Sequence, residues 1–478
     1  MIRRTKIVAT LGPASRDPKV LDRMIEAGVD VVRLNFSHGS AEEHIQAAEL
    51  VRSLAKTRGR AVGVLVDLQG PKIRIGRFRD GKVTLQEGER FILDADCKLG
   101  DATRVGLDYP DLVQDVSRGA TLLLDDGRIE LWVEEVEGNQ VICKVVRGGV
   151  LSNNKGINRK GGGLSAAALT DKDIEDIKTA AQLKADYLAV SFPRSAADMQ
   201  QAREILRAAG GRAWLIAKIE RAEAIEALPE ILNASDAIMV ARGDLGVEVG
   251  DAAVPALQKK MIRMAREHNK LVITATQMME SMIASPIPTR AEVSDVANAV
   301  LDGTDAVMLS AETAVGKYPI EAIAAMHRVC IEAEKEVERP QFPLKAAEAG
   351  IVRVDEAIAK SAAFTALHLN VKAIAAMTQS GATALWTSRI STHVPIYALT
   401  PEVETRRKVT LFRGVYPINF RPSSNDRDQL LAEAEEELRR RGAVRNGDLI
   451  LLTIGEPIGK PGGTNTLKIV RVGERKKV

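Results

Sequence analysis

The sequence predicts an α/β protein: a (β/α)8 barrel that carries an inserted β-barrel lid domain and is followed by a C-terminal three-layer α/β/α domain. Three observations predict it. Between Thr5 and about Pro340, short runs rich in β-branched residues alternate with amphipathic helical segments. From about Gly70 to Leu169 that alternation gives way to short period-two segments broken by glycine. After Val352, helix and strand segments alternate again. The boundaries read 1–69 and 170–343 for the barrel, 70–169 for the insert and 352–478 for the last domain.

At 478 residues the chain needs more than one core. The strand-like runs of the first region are Lys6–Leu11, Val31–Asn35, Gly63–Asp67, Tyr187–Phe192, Trp214–Glu220, Ala237–Ala241, Leu271–Thr276 and Ala306–Ser310. Helix starts separate them. Asp17-Pro18 opens a segment with Val20, Leu21, Met24 and Ile25 on one face, and Pro255 suits a first turn before Leu257, Met261 and Ala265. Thr289-Arg-Ala-Glu292 reads as a capping box. Eight such units fit a barrel whose active site lies at the C-terminal strand ends; a doubly wound open sheet competes with it. In the insert, Lys82–Leu85, Arg90–Leu93, Thr121–Leu124, Glu130–Val136 and Gln140–Val146 read as strands, and Thr170-Asp-Lys-Asp173 restarts the helical pattern. Mounted on a loop at the catalytic face, the insert would exclude water as a lid. Gly161-Gly-Gly163 reads as its hinge. The last region offers Ala373–Met377, Pro395–Leu399, Tyr416–Asn419 and Leu449–Thr453 after a linker at Pro340 to Gly350.

Composition narrows the function classes. The chain is 45% hydrophobic and 27% charged, ordinary for a soluble protein, and no run reaches the length of a membrane span. Met1-Ile-Arg-Arg-Thr-Lys leads straight into a strand, without a signal-peptide pattern. Cys97, Cys143 and Cys330 are too few and too scattered for a disulfide framework, so a reducing cytoplasm is expected. Aromatics make up 3% of the chain, which argues against stacking on nucleic acid, and the basic tail Arg471 to Lys477 reads as a solvated terminus. The 6 histidines lack zinc-site spacing, so any metal ligands should be oxygens.

Polar residues gather at the strand ends. Ile216-Ala-Lys218-Ile-Glu220 points Lys218 and Glu220 the same way, an ammonium and a carboxylate suited to a phosphoryl group beside a metal, or to a buried ion pair. Ala241-Arg-Gly243-Asp-Leu-Gly246 frees Asp244 to share a magnesium ion with Glu220, or simply caps a helix. Arg33, Asn35 and Ser37 alternate toward one side of the second strand, with His38 next in the loop. Asp67, Lys72 and Arg74 follow the third strand, and Thr274 and Thr276 end the seventh. Taken singly, each of these last groups reads as a polar strand-to-loop transition; their convergence on one barrel mouth argues for a site.

At these residues the chain resembles the pyruvate kinases along essentially its full length. The signatures are Thr5-Lys-Ile-Val-Ala-Thr-Leu-Gly-Pro-Ala-Ser15, Arg33-Leu-Asn-Phe-Ser-His-Gly39, Asp67-Leu-Gln-Gly-Pro-Lys-Ile-Arg74, Lys218-Ile-Glu220, Met239 to Glu248, Ala275-Thr-Gln-Met-Met-Glu-Ser-Met282 and Asp302-Gly-Thr-Asp-Ala-Val-Met-Leu-Ser-Ala-Glu-Thr313. The resemblance implies phosphoryl transfer from phosphoenolpyruvate to ADP in a cytoplasmic homotetramer. It implies Mg2+ or Mn2+ on Glu220 and Asp244, and catalysis by Lys218, Arg33 and Thr276. Substrate would be held by Arg33, Lys218, Gly243, Asp244 and Thr276, and nucleotide phosphates by Asn35, Ser37, His38, Arg74 and Lys155.

The family's monovalent-cation site maps to Asn35, Ser37, Asp67 and the Leu68 carbonyl. Potassium-dependent members usually carry glutamate where this chain has Lys72 and an alcohol side chain where it has Leu68, so activity without a strict potassium requirement is expected. Asn158-Arg-Lys-Gly-Gly-Gly163 departs from the family's usual Leu-Pro-Gly after the asparagine. In the C-terminal domain, Met377-Thr-Gln-Ser-Gly-Ala-Thr383 matches the family's effector loop, which implies a phosphorylated allosteric activator held by Thr378, Ser380, Gly381 and Thr383, with Gly455 to Asn465 as a flap; an ordinary βα turn is the alternative. Two other functions stay open on residues alone: a magnesium barrel lyase or aldolase acting on a keto acid, and a non-catalytic regulatory paralogue.

Overall fold

The computed structural model describes residues 2–337, 353–390, 392–424, 426–457 and 463–474. The expected linker, the middle of the flap and the end of the basic tail lie outside the described residues.

Eight parallel strands, Lys6–Thr10, Val31–Asn35, Gly63–Asp67, Tyr187–Val190, Trp214–Ile219, Ala237–Ala241, Leu271–Ala275 and Ala306–Leu309, close into a barrel. The first strand pairs with both the second and the eighth, which excludes the open doubly wound sheet. Alternate side chains divide the cores. Ile7, Val64 and Val66 face the outer helices, whereas Val8, Leu65, Ile216 and Met239 belong to a cluster that continues to Leu411 and Phe412 of the C-terminal domain. Helix starts follow the sequence signals: Asp17 accepts from the Lys19 and Val20 amides, and Thr170 with Asp173 and Thr289 with Glu292 form capping boxes.

Two expected strands stop early for a reason that matters. The run Tyr187–Phe192 ends as a strand at Val190 because Phe192 has φ 55°, and the seventh strand ends at Ala275 because Thr276 has φ 69°. Positive φ in an aromatic or β-branched residue is strained. Both kinks sit at the barrel's C-terminal mouth.

Between the third strand and the helix Asp171–Gln182, the insert forms a six-stranded sheet and a two-stranded ribbon around its own core, which includes Phe91, Leu93, Leu131 and Val133. Short strands at Arg104–Val105, Gly149–Ser152 and Ile157–Arg159 add to the five expected. The C-terminal domain has a five-stranded sheet flanked by helices such as Ala382–Arg389 and Arg427–Arg440. Its edge strand, Thr464–Arg471, is antiparallel and was not expected: the segment between the expected flap and the basic tail pairs along Leu449–Gly455.

The closed end of the barrel carries a fourfold device. Asp30, Asp186, Asp236 and Asp305 immediately precede the second, fourth, sixth and eighth strands. Each accepts the backbone N–H of the second residue of the preceding strand: Ile7 at 2.9 Å, Val64 at 2.9 Å, Leu215 at 2.8 Å and Val272 at 3.0 Å. Each also pairs with an arginine: Arg3, Arg407, Arg203 and Arg389 respectively. Arg407 and Arg389 come from the C-terminal domain, so two of these four anchors bind that domain to the barrel.

Candidate active site

The fifth strand turns Lys218 into the barrel mouth, where its side chain stays 12% exposed. Its Nζ lies 2.9 Å from Glu220 Oε1 and 3.2 Å from Asp67 Oδ1, and it donates to Ser191 Oγ at 2.7 Å. Burial opposes the ammonium, but Asp67 and then Glu220 outweigh it and hold the lysine above its ordinary value. Lys218 therefore stays charged across the neutral range. Burial likewise opposes the Asp67 carboxylate, and Lys218 and Arg33 more than offset it. Arg33 donates to Asp67 Oδ2 at 2.6 Å and to Thr10 Oγ1 at 3.1 Å.

Glu220 is less well compensated. Its Oε2 accepts the Phe192 amide at 2.9 Å, yet burial first, with the charges of Asp244 and Asp67 added, pushes it up to about 7 against the pull of Lys218. One ammonium is divided between two carboxylates. The mouth is short of positive charge on the Asp244 side, and Lys72 supplies some of it, with Nζ 3.3 Å from Asp244 Oδ1. Asp244 lines an open cleft and Glu220 lies buried within reach of its charge; two such carboxylates suit a magnesium ion, which keeps positions for water and substrate oxygens. Among the described residues no cluster of three or more His, Cys, Asp or Glu forms a metal site.

Ser191 and Phe192 were not singled out by the sequence, and both belong here. The Ser191 hydroxyl accepts from Lys218 and donates to the Leu68 carbonyl at 2.7 Å, while the kinked Phe192 amide holds Glu220. The available signal was a lone hydroxyl at the end of an apolar barrel strand. On the opposite wall, Thr276 Oγ1 accepts the Gly243 amide at 2.8 Å and donates to Ala275 O at 2.6 Å. Gly243 and Asp244 lie in the first turn of the helix Arg242–Val249, where amides lack intrahelical acceptors and favour an anion.

The other expected contacts are more dispersed. Asn35 Oδ1 accepts the Ser37 amide at 3.2 Å, and Asn35 Nδ2 lies 3.5 Å from His38 Nδ1. Arg74 donates to Asn154 O at 3.0 Å, and Lys155 pairs with Asp125 at 2.7 Å, so both serve the root of the insert here. The Leu68 carbonyl is engaged by Ser191, and Lys72 pairs with Asp244 while Arg33 and Lys218 serve Asp67. Between the insert and the barrel runs a cleft of ≈ 840 Å³ lined by Lys72, Asp126, Arg128, Gly243, Asp244 and Gln277. The triple glycine is docked rather than loose: the Gly161 amide donates to Glu248 O at 3.1 Å, and Gly163 N to Glu223.

The C-terminal loop stands apart from the mouth. Thr378 Oγ1 accepts the Gly381 amide at 2.9 Å, Ser380 Oγ accepts from Ala382 at 3.4 Å, and Thr383 Oγ1 meets Thr464 Oγ1 at 2.6 Å.

A charged lysine set between carboxylates at the mouth of a (β/α)8 barrel, under a β lid, is the apparatus of a barrel phosphotransferase. Residues 2–323 match the family model described as pyruvate kinase, barrel domain, and residues 356–470 that of pyruvate kinase, alpha/beta domain. The chain is 53% identical over 477 residues to pyruvate kinase II of Salmonella typhimurium, covering 98% of this chain and 99% of the relative. It is 52% identical over 464 residues to the pyruvate kinase of Haemophilus influenzae (95% and 96% covered) and 44% over 476 residues to that of Mycobacterium tuberculosis (99% of each). The chain belongs to the pyruvate kinase family. The lyase or aldolase reading finds no support in these comparisons.

Proposed function

We infer that the chain catalyses transfer of the phosphoryl group of phosphoenolpyruvate to ADP, giving pyruvate and ATP, the closing step of glycolysis. The observation that carries this reading is the Lys218 ammonium held charged between Asp67 and Glu220 at the mouth. Phosphoryl transfer leaves little covalent work to the protein; positioning and charge neutralisation do most of it. Lys218 and Arg33 would neutralise the migrating group, and the first-turn amides at Gly243 and Asp244, with the Thr276 hydroxyl, would fix the substrate carboxylate. Asn35, Ser37, His38, Arg74 and Lys155 would contact nucleotide phosphates, the last two by exchanging their present partners in the lid.

Glu220 and Asp244 would hold Mg2+ or Mn2+, which supplies Lewis-acid charge to phosphate and enolate oxygens when bound. Asn35, Ser37, Asp67 and the Leu68 carbonyl would form the monovalent-cation site, with the Lys72 ammonium making potassium dispensable. Thr276 Oγ1 would hold the proton donor for the enolate carbon. Thr378, Ser380, Gly381 and Thr383 would bind a phosphorylated activator, in a cytoplasmic homotetramer with neither nucleic-acid nor membrane partners. Among the described residues no helix is long and apolar enough to cross a membrane. The decisive test is ADP-dependent formation of pyruvate from phosphoenolpyruvate. Magnesium-dependent turnover supports the reading; no pyruvate at any magnesium concentration rejects it.

A further inference from the structure

Behind the barrel, on the face opposite the mouth, a pocket of ≈ 350 Å³ opens where the C-terminal domain meets the ends of the fourth and fifth strands. Three elements wall it: the turn at Lys184 to Asp186, the turn at Gly210 to Arg212, and the helix Val403–Lys408. Its side-chain charges do not balance. Lys184, Arg212, Arg407 and Lys408 line it against Asp186 and Glu404. Asp186 is already committed, to Arg407 Nε at 2.8 Å and the Val64 amide at 2.9 Å.

The remaining cations have weak partners. Lys408 Nζ donates to the Arg212 carbonyl at 2.9 Å and sits 5.9 Å from the Trp214 ring centroid; burial holds it below the ordinary lysine value. Lys184 and Arg212 have no side-chain hydrogen bond or ion pair among the described residues. Just behind, Arg52 donates through Nη2 to the Lys184 carbonyl at 2.7 Å, and its buried Nε has no acceptor. Lys408 and Arg52 are half-buried and carry a desolvation cost that an arriving anion would offset, and the exposed Lys184 and Arg212 converge on the same space from separate elements.

We propose that this pocket binds a phosphomonoester dianion, through Lys184, Arg212 and Lys408, as a second ligand site separate from the effector loop. The helix Val403–Lys408 links the two. Thr405 Oγ1 on it donates to the Gln379 carbonyl of the effector loop, and a β-carbon at Gly381 would stand 3.6 Å from Thr405 Cγ2. A phosphate held by Lys408 at one face of this helix and a phosphate in the loop at the other act on one element. Their affinities are therefore coupled reciprocally.

The test is calorimetric titration of the full-length protein with ribose 5-phosphate. Three proteins are compared: wild type, the pocket variant Lys184→Gln/Arg212→Gln, and the loop variant Ser380→Asp. Wild type should take two equivalents per chain and the pocket variant one, with the pocket affinity lost by about tenfold or more. Basal turnover should be unchanged in the pocket variant, whose two positions are exposed and far from the chemistry. A wild type that takes a single equivalent, retained unchanged by the pocket variant, overturns the proposal, as does the absence of binding to the wild type. A single equivalent that the pocket variant alone abolishes upholds the pocket and instead removes the loop assignment.

Discussion

A β-carbon on Gly70 would stand 2.6 Å from the Cβ of Ser191 and 3.0 Å from the Phe192 ring. Gly70 lies at the root of the lid, Ser191 holds Lys218, and the Phe192 amide holds Glu220. The lid therefore touches both charged groups of the site through one contact that has no spare room.

Gly70→Ala tests this contact. Gly70 has φ 66°, so alanine adds backbone strain to the clash and must displace the Ser191–Phe192 kink. A misplacement near 1 Å costs about 100-fold in rate. Steady-state kinetics should show that loss in kcat with a smaller change in KM; kcat within about twofold of wild type would mean the kink does not position Lys218.

Lys218→Ala removes the ammonium shared by Asp67 and Glu220. Phosphoryl transfer should fall by about 1,000-fold or more, while phosphoenolpyruvate still binds by equilibrium titration. Turnover within about tenfold of wild type would show that the lysine's role is misassigned.

Lys72 carries its charge to Asp244 at the mouth. In assays free of sodium and potassium the wild type should run at nearly full rate. Lys72→Glu should lose about 10-fold or more of that rate and recover it when potassium is added, because a carboxylate there requires an external cation. A wild type silent without potassium would refute the idea.

Arg389 grips the buried Asp305 with Nη1 and Nη2, and Val272 N adds a further contact to the same carboxylate. Arg389→Ala leaves Asp305 buried without its cation, a loss of about 3–5 kcal/mol. Denaturant unfolding should show the C-terminal domain and barrel separating into two transitions. One cooperative transition at the wild-type midpoint would place the strength of that junction elsewhere.

Glu248, one helical turn beyond Asp244, offers a pH test. Burial, above all, raises its carboxyl to about 7, from an ordinary 4.5. Between those values the folded protein keeps a proton that the unfolded chain has released. Its contribution to stability is thus present on the acid side and lost as pH rises through 7. Glu248→Gln should raise the melting temperature by a few degrees at about pH 8 and change little at about pH 5. An equal shift at both values would exclude this carboxyl as the cause.

How much was legible in the sequence follows from the range of the forces. The eight barrel strands and the capped helices were legible because hydrophobic period and capping act within a few residues: Asp17, Thr170 and Thr289 cap the segments they precede. Lys218 and Glu220 were legible because residues two apart on a strand must share a side. The edge strand Thr464–Arg471 was not, since its largely exposed residues carry no clean apolar alternation and backbone pairing with Leu449–Gly455 holds it.

By itself, the sequence determined the order of elements, the residues presented at each strand end and the family they mark. Only the tertiary structure decided which of those residues meet. Ser191 became part of the site because the fourth strand is wedged between Gly70 and Lys218, and Asp186 and Asp305 became junctions because the C-terminal domain delivers Arg407 and Arg389 to them. The physical reason is that close packing and charge pairing depend on distances through space, which closure of the barrel sets and local chain chemistry cannot.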